Sequence, residues 1–92
     1  MREIAGKTPS TNLKVKVWRE LEGFDPLKDG EINVEDTIKK IAMVYELPVD
    51  TVADELELSD LLPVFIDCVK HVNNIIFDKL RNIPKNVEGD GK

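Results

Sequence analysis

From Leu61 to Leu80 the apolar residues recur at intervals of three and four, the spacing of a helix that buries one side. Ser59 opens this element, which the pattern predicts over roughly residues 60–82, and Pro63 fits its first turn, where a missing N–H has no intrahelical partner to lose. Upstream, Asn33 with Asp36 three positions on reads as an N-cap close to a capping box. Val34, Ile38, Ile41, Ala42 and Tyr45 then share a face, so a helix is expected to run to about Glu46, before Pro48. Asp50 can cap a short helix carrying Val52, Ala53 and Leu56. Pro26 and Asp29-Gly30 mark a turn over residues 24–30.

The stretch from Asn12 to Phe24 supports two readings. Leu13, Val15 and Val17 alternate with Lys14 and Lys16 as in a half-buried strand, while Leu13, Val17, Leu21 and Phe24 recur at helical spacing behind a candidate cap, Asn12. An isolated strand leaves its backbone groups unpaired, and no second convincing strand is present, so the helix is preferred. Residues 1–11 carry no periodic pattern and read as a flexible lead-in; residues 84–92 are polar and Gly-rich and read as a disordered tail. The expected fold is all-α, a small helical bundle of about four helices with one long C-terminal helix, over residues 12–83.

Stepping 100° per residue around the long helix gathers Asp67, Lys70, His71, Asn74, Asp78 and Arg81 on one polar stripe. Leu61, Leu62, Phe65, Val69, Val72, Ile76 and Leu80 make the central apolar face. Val64, Cys68 and Ile75 widen it on one shoulder, and Ile66 and Phe77 on the other. The apolar arc spans roughly 220°, where a surface helix needs little more than about 100°. Either this is the central helix of a bundle wrapped by the shorter ones, or one shoulder meets another chain, a copy of itself or a different partner. On the second reading Val64, Ile66, Val69, Ile75, Phe77 and Leu80 are the candidate partner-binding residues.

Composition narrows the functional classes. With 92 residues the chain is one domain, and 13 bases against 18 acids give a formal charge of −5, a poor balance for a stand-alone nucleic-acid binder. A single cysteine, Cys68, excludes an internal disulfide and a cysteine zinc cluster. No apolar run approaches the roughly 18 residues of a membrane span. These features predict a small, acidic, soluble, cytoplasmic interaction domain. The charge is also segregated: six acids and no base lie from Glu46 to Asp60, and five bases and one acid from Arg2 to Arg19.

The chemical signals are weak. Gly6-Lys7-Thr8 resembles the end of a phosphate-binding loop but lacks the earlier glycine and the preceding strand. Asp67, Cys68 and His71 fall within one helical turn, yet the thiol points to the apolar side and the imidazole to the polar one. Asp25–Asp36 resembles a twelve-residue EF-hand calcium loop with Asp25 first, Gly30 sixth and Ile32 eighth. Leu27 at the third position offers no side-chain oxygen, and Asp36 at the twelfth is a methylene short. A calcium-responsive interaction module is the alternative reading; no enzyme activity, metal or cofactor is expected.

Val34-Glu35-Asp36-Thr37-Ile38-Lys39-Lys40-Ile41-Ala42-Met43-Val44-Tyr45, then Leu47-Pro48-Val49-Asp50-Thr51-Val52 and Leu58-Ser59-Asp60-Leu61-Leu62-Pro63-Val64-Phe65-Ile66, resemble the tail assembly chaperones of long-tailed bacteriophages and prophages. The shared features are an acid-capped helix ending in an aromatic residue, a short polar turn, and an apolar helix entered through a leucine-proline step. The family's frequent N-terminal β-hairpin has no counterpart. The resemblance implies a non-catalytic protein that coats the tape measure protein and helps recruit tail tube subunits, with a homo-oligomer left open and no nucleic-acid or membrane partner. It also implies a longer product made by ribosomal slippage, with which Pro84-Lys85-Asn86 is compatible in its codons.

Overall fold

The computed structural model describes the backbone of residues 2–81 and the side chains of residues 2–78. Four α-helices carry most of the chain: α1 Val15–Leu21, α2 Val34–Tyr45, α3 Val49–Glu55 and α4 Leu61–Arg81. A single 3₁₀ turn, Leu58–Asp60, leads into α4, and a small antiparallel hairpin, β1 Leu27–Lys28 and β2 Glu31–Ile32, separates α1 from α2. The fold is thus mostly helical rather than purely so. Asp29 and Gly30 adopt positive φ (56° and 80°), the two-residue loop that lets strands with a right-handed twist double back.

Local chemistry sets the boundaries of α2. Asn33 caps it: the side-chain oxygen accepts from Asp36 N–H (3.3 Å) and its amide donates to the Asp36 carboxylate (2.9 Å). The Asn33 N–H, which a true capping box would give to Asp36, donates instead to the Pro26 carbonyl (2.7 Å) and closes the hairpin onto the helix. At the other end Glu46 sits left-handed (φ 55°), with its own N–H and that of Leu47 donating to the Ala42 carbonyl. Glycine adopts this conformation without the Cβ penalty. Glu46→Gly is therefore expected to stabilise the fold by about 1 kcal/mol, read as a higher denaturation midpoint at unchanged slope.

The core lies between α2 and α4, with Ile41, Val44, Tyr45, Leu61, Phe65, Cys68 and Val72 at its centre. Val52 of α3 closes it below, and Val17 and Leu21 of α1 close one side. Phe24 follows α1 and packs edge-on against Phe65 (centroids 5.6 Å apart, 70°). Lys40 Nζ of α2 lies 5.1 Å from the Phe24 ring centre and 3.1 Å from Glu20, tying α2 to α1. The α1 helix is shorter than its periodicity predicts, and Lys14 rather than Asn12 occupies the cap position. The cap of α3 is Pro48, with Asp50 inside the first turn.

Residues 2–10 depart most from expectation. They are docked on the core rather than forming a flexible lead-in. Ile4 is 1% exposed, and it exchanges backbone hydrogen bonds with Lys7 around a tight Ala5-Gly6 turn. The Tyr45 hydroxyl donates to the Arg2 carbonyl (2.7 Å), and Ser10 N–H donates to the Val44 carbonyl (2.9 Å). The tail over residues 84–92, with Pro84, and the Leu80 side chain lie outside the described residues.

Candidate functional site

With 21 residues, α4 is about 31 Å long, against about 18 Å for the 12-residue α2. One face of α4 is taken by α2, and Val72 is the last of its described side chains to be buried. This leaves its two shoulders with different fates.

The first shoulder is sealed. Val64 (4% exposed) and Cys68 (0%) are in the core, so Val64 has no surface to offer a partner. Ile75 on the same side is half-buried. The cover comes from residues 2–10: Ile4 joins the same buried cluster, and His71 Nε2 is 2.7 Å from the Ser10 carbonyl. A carbonyl can only accept, so the imidazole donates from Nε2 and is spent on holding the N-terminal segment. Burial pushes the Cys68 thiol up to about 12, with the Asp67 carboxylate adding to it, so it supplies no thiolate at neutral pH.

The second shoulder is open. Ile66 is 50% and Phe77 52% exposed, and Ile76 beside them is exposed as well. Val69 is half-buried and lines a groove of about 290 Å³ between α1 and α4. Trp18 and Leu21 of α1 form its other wall, with Val72 and Asn73 along its α4 side. Trp18, the chain's single tryptophan, was not among the residues singled out, because it lies outside the Leu13, Val17, Leu21 and Phe24 series from which the helix was read.

The Asp25–Asp36 segment uses its oxygens for backbone purposes. Asp25 accepts from Leu27 N–H (3.0 Å), and Asn33 and Asp36 are engaged with each other at the α2 cap. Between them stands the hairpin, so these side chains do not converge on one centre. Among the described residues no group of three or more His, Cys, Asp or Glu side chains could hold a metal ion, and no helix is long and apolar enough to cross a membrane.

No family model, no curated protein and no solved structure matches this chain. The functional reading therefore rests on the groove and the open shoulder of α4.

The buried thiol and phenol give a pH dependence of stability. Burial, with smaller contributions from nearby Cys68 and Asp67, also raises the Tyr45 hydroxyl to about 12. The folded state holds both protons to higher pH than the unfolded chain, whose thiol and phenol titrate near 9.0 and 10.0. Stability from these groups is complete below pH 9 and is lost as pH rises toward 12. Thermal melts across that range should show a falling midpoint, and Cys68→Ala should flatten the first part of the fall.

Proposed function

We propose that this protein is a non-catalytic helix-holding chaperone of the phage tail assembly class, which covers apolar helical surface of the tape measure protein until tail tube subunits enclose it. The observation that carries the reading is the open shoulder of α4, where Ile66 and Phe77 stay half exposed although Val64 and Cys68 on the opposite shoulder are buried. A protein made only to be stable gains from burying such side chains, each worth about 1.5–3 kcal/mol when fully removed from water. Leaving two of them beside a groove fits a surface that is covered by something else.

The rest of the chain suits the same task. A formal charge of −5 keeps a complex with an apolar client soluble, and none of the six acids from Glu46 to Asp60 lines the groove. Many moderate apolar contacts, rather than one tight site, allow release when the tube arrives. Co-expression with the tape measure protein that this reading expects to be encoded beside it tests the reading. Co-purification of a stable complex is the expected result. A tape measure protein that stays insoluble and unbound, or a gene neighbourhood without tail genes, contradicts it.

A further inference from the structure

Val64, Cys68, His71 and Ile75 follow one another at steps of four, three and four residues and form one stripe along α4. Residues 2–10, rather than another helix, lie over it, and their hold on the helices is slight. Ile4 and Pro9 are buried, while residues 2, 3 and 5–8 are exposed. Among the described residues Ser10 has the segment's one backbone N–H that donates to a helix, to the Val44 carbonyl left open by the end of α2 (2.9 Å). The Ile4–Lys7 hydrogen bonds close the segment on itself and need nothing from the helices. They also hold Ala5 in the left-handed region (φ 51°), a strain that detachment relieves. The partly exposed Arg2–Asp60 ion pair (3.2 Å) adds little in water. What remains are two ties, Tyr45 to the Arg2 carbonyl and His71 to the Ser10 carbonyl. The packing of α2 on α4 is made by other residues, Ile41, Leu61, Phe65 and Val72 among them.

We propose that residues 2–10 are a releasable strap, which detaches as a unit while the helices stay folded and so switches the Val64–Ile75 stripe of α4 between covered and open. Such partial opening is expected where few apolar contacts and few backbone hydrogen bonds fasten a segment to a well-packed body. Closed, α4 offers partners the Ile66 and Phe77 shoulder; open, it adds Val64, Cys68 and the Tyr45 ring on the other side. The strap is independent of the client-holding reading, which rests on the opposite shoulder. Its two ties flank Cys68. Tyr45, whose hydroxyl the neighbouring Cys68 helps to raise, holds the Arg2 end, and His71, three residues on from Cys68, holds the Ser10 end. The chain's single thiol therefore lies under the strap. It is fully buried, and burial raises it to about 12 with Asp67 adding, so it is unreactive while covered.

Labelling of Cys68 by a chromogenic aromatic disulfide, on the full chain and followed against urea, reads the opening. Attack of the Cys68 thiolate forms a mixed disulfide and expels one coloured thiolate. At low urea the logarithm of the rate should rise with a slope well below that of global unfolding, since only a short segment is uncovered. Tyr45→Phe and His71→Ala each remove one tie and should speed labelling about tenfold, with the helical circular dichroism unchanged. Ile4→Ala should speed it further. Ile38→Val, nearer the other end of α2, should lower the unfolding midpoint and leave low-urea labelling unchanged. A slope equal to that of global unfolding from zero urea upward overturns the proposal, because the thiol is then reached only when the whole molecule unfolds. Acceleration by one tie variant alone, or by neither, overturns it too, since the segment then does not open as a unit. So does an Ile38→Val variant that labels as fast as the tie variants. Native protein that labels as fast as the denatured chain has no docked strap, which is equally fatal. Should Ile4→Ala fail to fold, the wild-type slope and the two tie variants still decide.

Discussion

Ile4→Ala is expected to cost about 2–5 kcal/mol of stability, the range for emptying a fully buried aliphatic site. Ile4 is 1% exposed and belongs to the same buried cluster as Val64, Cys68 and Tyr45. Its loss takes away more than one side chain's burial, because the turn it anchors also holds the Arg2 carbonyl over the Tyr45 hydroxyl. A domain of this size is stable by only about 5–15 kcal/mol, so the variant should lose much of its denaturation midpoint. Urea unfolding measures this. A midpoint within error of wild type means residues 2–10 do not seal the Val64 shoulder in solution, and the account of α4 fails at its first step.

The second large effect is on binding rather than folding. Ile66→Ser combined with Phe77→Ser is expected to leave the unfolding midpoint nearly unchanged, since substitutions at half-exposed sites usually cost well under the values of core changes. The same pair should abolish capture of a helical partner, because the open shoulder of α4 loses two of its large exposed apolar side chains. Affinity losses of a hundredfold or more are typical when central apolar anchors are truncated. Measured together, midpoint and capture separate the two roles of an apolar side chain. Loss of folding with this double variant marks the shoulder as core. Unchanged capture shows that the partner binds elsewhere.

Most of the helical framework was legible because its signals are local. The Asn33 cap, the stop before Pro48, and the placement of Pro63 in the first turn of α4 each depend on neighbours within four residues. The hairpin was legible only as a turn, since Asp29-Gly30 announces the reversal but strands of two residues carry no periodicity. Docking of residues 2–10 was not legible at all. Its causes are Tyr45, Val44 and His71, which lie dozens of positions away and meet Arg2 and Ser10 only in the folded chain. The same fact divides the candidate site. An excess of apolar surface on α4 could be read from the sequence, but which shoulder stays open depends on where the N-terminal segment lies. Val64 is consequently core, while Ile66 and Phe77 face outward.

Side-chain oxidative footprinting of the free protein and of its complex tests the central claim most directly. In the free protein Ile66, Phe77 and Trp18 should label readily and Ile4 and Val64 hardly at all; in the complex the first three should become protected. Equal protection of all five in the free monomer, or unchanged labelling of Ile66 and Phe77 when the partner is bound, would contradict it.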